Sequence, residues 1–172
     1  MKINSESLIR HSQQAVYIAY RDRLSEVAAY IPDIKEIRVV SREQTNTGVT
    51  LHNLWRADRE IPRVVQSFVK PHMLQWNDYA RWHDAEAYCE WRLEIPAFPN
   101  NVTCSGRNTF YADGNNTRVV LTGNLEINPD FPGMPRLIAR RIAPQIEKFI
   151  VMLITPNLKK VNESLGAFLD AQ

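Results

Sequence analysis

Cysteine is scarce in this 172-residue chain: Cys89 and Cys104 are the only two, and they do not form a Cys-x-x-Cys pair. That excludes a disulfide framework and points to a reducing, cytoplasmic setting in which both thiols are small core groups. Long hydrophobic runs are also missing. The longest, Phe149 to Ile154, falls far short of the roughly 20 apolar residues a bilayer-spanning helix needs. The opening MKINSESLIRHSQQAVYIAY has no continuous apolar stretch, so no signal peptide is expected. Charge of one sign is not in excess either: 21 Lys and Arg face 19 Asp and Glu, a net charge of +2. No nucleic-acid partner is expected from that balance. The six glycines form neither a Gly-x-Gly-x-x-Gly nor a phosphate loop. Gly-x-Ser-x-Gly and His-Glu-x-x-His are absent as well. No cofactor, resident metal or hydrolase triad is therefore expected.

What the chain does have is patterning. Its composition, 44% hydrophobic and 23% charged, is that of an ordinary globular protein, and its length suits one domain over residues 1–172. Residues 2–9 alternate loosely and predict a first strand. Ser12 is a helix N-cap in front of Val16, Tyr20, Leu24, Val27, Ala28 and Ile31, which recur at helical spacing. Ser25 restarts the helix after Arg21-Asp22-Arg23, and Pro32 ends it. The period then changes to two. Strand 34–45 places Ile37, Val39 and Ser41 inward. Thr45-Asn46-Thr47-Gly48 is a turn, and strand 48–58 carries Val49, Leu51, Asn53, Trp55 and Ala57 on one face. Residues 61–69 follow an i, i+3, i+4, i+7 rule through Ile61, Val64, Val65 and Phe68, which predicts a short amphipathic helix.

Four strands follow. Residues 72–83 and 86–95 form a hairpin around His83-Asp84, with Ala87, Cys89, Trp91, Leu93 and Ile95 on one face. Strand 102–112 aligns Val102, Cys104, Asn108 and Phe110. After the turn at Asp113–Asn116, strand 117–127 aligns Val119, Leu121, Leu125 and Ile127. The loop Asn128–Pro135 holds three prolines and a glycine. It opens a helix over 136–170 whose apolar face is Ile138, Ile142, Ile146, Phe149, Leu153, Val161, Leu165 and Phe168. Pro144 and Pro156 predict kinks or a restart there. Helices from both ends of the chain cover one face of the sheet, an α+β layer.

That order, with QAVYIAYRDRLSEVAAYIPDIKEIRVVSRE, IPRVVQSFVKP, WNDYARWHDAEAYCEW and IEKFIVMLITPNLKKVNESLGAFL as its segments, resembles the START-like superfamily. This superfamily, also called SRPBCC, includes lipid-transport proteins, polyketide cyclases and pollen-allergen-like proteins. The likeness runs over nearly the whole chain and is one of pattern, with no catalytic signature. It implies a helix-grip fold: a curved antiparallel sheet around a long C-terminal helix, with a cavity between them. A cone-shaped fold of the nuclear-transport-factor kind is the alternative, and the long final helix argues against it.

The function implied is binding or transport of a hydrophobic, lipid-like small molecule, without catalysis. The alternative is a polyketide cyclase or dehydratase using the same cavity. Inward parity nominates Asn53, Trp55, Trp76, Cys89, Trp91, Cys104, Asn108, Phe110 and Leu121 as cavity candidates on the strands, and Ile146, Phe149 and Leu153 on the final helix. Large apolar groups broken by a few polar ones are how small-molecule sites are built. Other features have two readings each. His72, Asp78, His83, Asp84 and Glu90 lack zinc-site spacing, and a solvated hairpin tip is the expectation for them. Arg136, Arg140 and Arg141 fit a solvated helix face better than transient contact with a membrane. Residues 61–69 could pack in place or act as a lid. Tyr111 has the outward parity and enters only the enzyme reading.

Overall fold

The computed structural model describes residues 1–131, 133 and 135–172. Two positions of the proline-rich loop read from the sequence, Pro132 and Met134, lie outside the described residues. Period-two patterning builds seven strands: β1 (Lys2–Ile9), β2 (Ile34–Gln44), β3 (Gly48–Ala57), β4 (Gln75–His83), β5 (Tyr88–Glu94), β6 (Val102–Asp113) and β7 (Asn116–Ile127). They form one curved antiparallel sheet in the order β1-β7-β6-β5-β4-β3-β2. Strands β2 to β7 are consecutive neighbours. β1 joins the far side by pairing with β7, from Lys2 opposite Asn124 to Ile9 opposite Thr117.

Helices α1 (Gln13–Asp22) and α2 (Leu24–Val27) carry the chain from the β1 edge to the β2 edge. Ser12 caps α1 as its position predicts, its Oγ accepting from the amide of Ala15 at 3.3 Å. The chain restarts one residue earlier than read from the sequence, at Leu24, with Arg23 as the uncapped joint. A single 3-10 turn over Ala28–Tyr30 then leads out of the helical segment. The tightest hairpin joins β6 and β7 through Gly114-Asn115. There a φ of 59° at Gly114 is a conformation that side chains disfavour.

Three stretches depart from the sequence reading. In β2, Ile37 is buried, but Val39 is 45% exposed and Ser41 is exposed. The pairing with β3 slips between Ile34 and Glu36 and again between Val39 and Ser41. Each slip flips the strand's parity, and at the edge of the sheet nothing covers its distal half. Residues 61–69 form no amphipathic helix but one 3-10 turn, Arg63–Val65. Val65 and Val69 anchor it, and Val64 is 51% exposed. Pro62 holds an extended ψ at the start, and Lys70 is extended because Pro71 follows it. Pro71 also opens a 3-10 turn through Met73, so β4 begins at Gln75 and His72 lies off the strand.

The last element, α3 (Arg136–Asp170), runs unbroken through Pro144 and Pro156. At about 1.5 Å per residue it is roughly 50 Å long, longer than any strand here. Its N-terminal turns therefore overhang: Ile138 is 44% exposed and Ile142 only half-buried, not part of the buried face. Arg136, Arg140 and Arg141 are solvated on the same overhang. From Ala143 onward the inward face is buried through Ile146, Phe149, Ile150, Leu153, Val161, Leu165 and Phe168. No helix of the described residues is long and apolar enough to cross a membrane.

The helix survives Pro156 because its orphan acceptor is taken up. Pro156 has no N–H for the carbonyl of Met152, four residues back. Arg59 Nη1 donates to that carbonyl at 2.5 Å. Asp33 holds the arginine in place, lying 3.6 Å from Arg59 Nε and 3.2 Å from Lys160 Nζ. Arg59→Met should therefore cost about 1–2 kcal/mol in chemical denaturation. The same change should cost measurably less in a Pro156→Ala background, where a backbone N–H returns to Met152. Equal costs in the two backgrounds would contradict this pairing.

Candidate functional site

The inner face of the sheet and the C-terminal half of α3 enclose a hollow. Its walls follow from strand alternation. Asn53 and Trp55 come from β3; Trp76, Asp78, Ala80 and Trp82 from β4; Cys89, Trp91 and Leu93 from β5; Asn108 from β6. Tyr20 and Leu24 close one side from α1 and α2, and α3 contributes Ile154, Asn157, Leu158 and Val161. All four tryptophans of the chain are in this wall. Trp55 and Trp76 are cross-strand partners and stack at 5.6 Å between ring centroids and 19° between planes. The hollow is a tight slot with an open volume of about 30 Å³.

Trp91 lies flat because two strands leave it room. It pairs across to Gly106, which pairs in turn with Gly123. A Cβ on Gly106 would meet Trp91 Cζ2 at 2.4 Å, and one on Gly123 would meet Cη2 at 2.9 Å. The indole occupies the volume that two side chains would fill elsewhere. From there Trp91 Nε1 donates to Asn108 Oδ1 at 3.1 Å, and Asn108 Nδ2 donates to the Tyr20 hydroxyl at 3.0 Å.

A second polar group faces the slot on the β3–β4 side. Asp78 stands opposite Asn53 in the ladder and is 8% exposed. Its Oδ2 accepts from Asn53 Nδ2 at 3.2 Å and from Trp55 Nε1 at 3.4 Å. Burial disfavours the charged form and pushes the carboxyl up to about 6, against the pull of the two hydrogen bonds and of His52. Burial also raises the Tyr20 hydroxyl and the Cys89 thiol, and pushes Cys104 up to about 12. Both thiols are therefore held neutral and unreactive. In the wall of the slot, Asn53 Oδ1, Asn157 Oδ1 and Trp82 Nε1 are buried without a hydrogen-bond partner among the described residues.

Of the residues nominated from sequence, Asn53, Trp55, Trp76, Cys89, Trp91 and Asn108 line the slot. Cys104, Phe110, Leu121, Ile146, Phe149 and Leu153 are buried but lie outside the lining. Phe110 sits behind the wall, stacked on Trp82 at 5.9 Å. Ile146, Phe149 and Leu153 lie on the stretch of α3 before the slot and are buried in the core. Tyr111 is exposed. The acidic and histidine cluster divides: His83 and Glu90 face outward, 3.7 Å apart, and His72 is exposed. Asp84 is more than a solvated tip, since its Oδ1 accepts from the Tyr17 hydroxyl at 2.9 Å and from Arg21 Nη1 at 2.8 Å, tying the hairpin to α1.

Asp78, expected with that cluster at a solvated hairpin tip, is instead buried in the wall of the slot. The signal for it is its parity with Trp76, Ala80 and Trp82 on β4. Asn157 had a signal too, four residues after Leu153 and four before Val161 on the buried helix face.

No protein-family model matches the sequence, and no curated protein matches it. Solved structures do share its shape. A protein from Thermus thermophilus aligns over 99% of this chain and 98% of its own, at 20% identity and a TM-score of 0.70. The ZhuI aromatase/cyclase from Streptomyces sp. R1128 aligns over 97% of this chain and 92% of its own, at 15% identity and a TM-score of 0.61. Norcoclaurine synthase from Thalictrum flavum aligns over 100% of this chain and 87% of its own, at 9% identity and a TM-score of 0.59. The latter has also been captured with dopamine and hydroxybenzaldehyde. With a seven-stranded curved sheet gripping a long C-terminal helix, the chain has the helix-grip fold of the START-like (SRPBCC) superfamily.

Proposed function

We propose that the chain binds a compact, ring-bearing hydrophobic small molecule in the slot between sheet and α3. The observation that carries this reading is the gathering of all four tryptophans around one internal space, with Asp78, Asn53, Asn108 and Asn157 as its polar points. Flat indole walls favour a flat occupant, through dispersion and burial worth about 25 cal/mol per Å² of apolar surface. The open space, about 30 Å³, is far below the ordinary size of a small-molecule site, so a ring enters only by parting the side chains of the wall. The narrowness of the slot argues for a ring over the long acyl chain of a lipid. The two small ring compounds held by norcoclaurine synthase on the same fold are in keeping with this choice.

Titration with 1-naphthol, followed by tryptophan emission, tests the reading. It predicts a saturable change, and at least about tenfold weaker binding in Ala80→Leu, which narrows the slot while remaining folded by circular dichroism. Absence of a saturable change, or unaltered affinity in that variant, contradicts it.

A second reading, an acid–base enzyme of the cyclase or dehydratase type, is favoured by one observation. Asp78 has its carboxyl pushed up to about 6, close to the range where a side chain both gives and takes protons at neutral pH. On that reading Asp78 exchanges the proton while Tyr20 and Asn108 orient the substrate's oxygen. Turnover by Asp78→Asn at the wild-type rate would exclude it.

A further inference from the structure

The charge in the slot has no counter-charge. Asp78 is a carboxylate more than nine-tenths buried, and among the described residues lining the slot there is no Lys, Arg or His. Buried carboxylates are ordinarily paired, because an uncompensated one costs several kcal/mol. Here two neutral donors, at 3.2 and 3.4 Å, are the whole compensation, and both fall on Oδ2. Oδ1 accepts nothing among the described residues.

The other open groups have the same polarity. Asn53 and Asn157 each leave Oδ1 buried without a donor. Their orientations follow from their partners. Asn53 Nδ2 faces a carboxylate oxygen and Asn157 Nδ2 faces the carbonyl of Leu153 at 2.7 Å, so in both cases the nitrogen must be the group turned to the acceptor. The slot therefore presents three acceptors without donors, one of them charged, against two free donors, Trp82 Nε1 and the hydroxyl proton of Tyr20, whose oxygen only accepts. Around them stand indole faces, whose negative quadrupole attracts cations.

We infer that the slot is a site for a protonated primary amine attached to an aromatic ring, with Asp78 as its counter-ion. An ammonium group supplies three donors, no acceptor and one positive charge, which is the complement of this acceptor set. The ring lies against the tryptophans. The assignment deepens the small-molecule reading above and rests on it.

Protonation of Asp78 competes with the amine, so binding weakens as pH falls through about 6. The other titratable groups facing Asp78 are Tyr20 from α1 and Cys89 from β5, both held neutral by burial. The residues of α2, β6 and α3 in the wall carry no charge. His52 of β3 points to the outer face, 2.9 Å from Asn77 Oδ1. The Asp78→Asn variant separates its contribution from that of Asp78.

Calorimetric titrations with phenethylamine, 2-phenylethanol and phenylacetate, three compounds sharing one ring, test the assignment at pH 7.5 and pH 5. The amine should bind at least about tenfold tighter than the alcohol at pH 7.5, and the acid weakest. Asp78→Asn should weaken the amine about tenfold and leave the alcohol within roughly twofold. At pH 5 the wild-type preference should shrink toward that of the variant. Equal binding of amine and alcohol, a preference for the acid, or an amine preference that survives Asp78→Asn would overturn the cation assignment and leave the hollow a ring site. Failure of all three compounds would do the same if 1-naphthol still binds. If 1-naphthol fails as well, the small-molecule reading itself falls.

Discussion

Asp78→Asn should make the unliganded protein more stable at pH 7, by about 3 kcal/mol. The reason is linkage. The folded chain raises the Asp78 carboxyl from 3.8 to about 6, and each pKa unit is worth about 1.4 kcal/mol. Between those two values the folded state binds the proton more readily than the unfolded chain does. Stability therefore falls as pH rises through the window. Below the lower value Asp78 is protonated in both states and costs nothing. Above the upper value the full penalty of a buried, unpaired carboxylate is present. Asparagine keeps an acceptor for Asn53 and Trp55 and carries no charge to desolvate. Denaturation of wild type and variant from pH 4 to pH 8 should give curves that converge at the acid end and separate by pH 7, with a melting-temperature gain of roughly 6–12 °C for the variant. A destabilised variant, or a difference independent of pH, would contradict the account. A residue that weakens its own fold is best explained by what it does for an occupant.

Gly106→Ala should do the opposite, costing about 3 kcal/mol or more. Its Cβ would lie 2.3 Å from the backbone oxygen of Thr122 and 2.4 Å from Trp91 Cζ2. Neither can give way cheaply: the first belongs to the β6–β7 ladder, and the second is held through its indole nitrogen by Asn108. Gly123→Ala should cost less, because its nearest contact, at 2.9 Å, is the far edge of the same ring. The expected ranking is wild type, then Gly123→Ala, then Gly106→Ala in chemical denaturation. The first glycine variant should also show an altered indole environment by near-ultraviolet circular dichroism. A Gly106→Ala protein as stable as wild type would mean that Trp91 does not lie across the glycine pair.

The architecture was largely legible in the sequence because it rests on local periodicities. Strands β3, β5, β6 and β7 each put their alternating apolar residues on the buried face, and Ser12 caps the helix it precedes. What escaped depended on geometry between elements. The slips of β2 against β3 carry no residue signature: the second turns Ser41 outward, while Val39, opposite Asn53, keeps the inner face but lies exposed at the sheet edge. Extended backbone at Pro62 and at Lys70, which precedes Pro71, left only one 3-10 turn between them, against an apolar spacing that otherwise suits a helix.

The site was legible only in part for a related reason. Parity assigns a residue to the inner face but says nothing of depth. Asn53 and Cys104 share that face on their strands, yet only the first borders open space. Along α3 the slot lies beside Ile154, Asn157, Leu158 and Val161, past the stretch Ile146–Leu153 that apolarity alone favoured. Asp78 was obscured by its charge: grouped with His83, Asp84 and Glu90 it looks like a hairpin tip, whereas its β4 parity with three wall residues places it inside.

Whether the tryptophan-lined slot holds a guest is tested most directly by native mass spectrometry of the protein immediately after purification. The account predicts a population heavier than the bare chain by one small molecule, released on collisional activation and carrying an aromatic ring. A bare chain throughout, unchanged after incubation with 1-naphthol or phenethylamine, would contradict it.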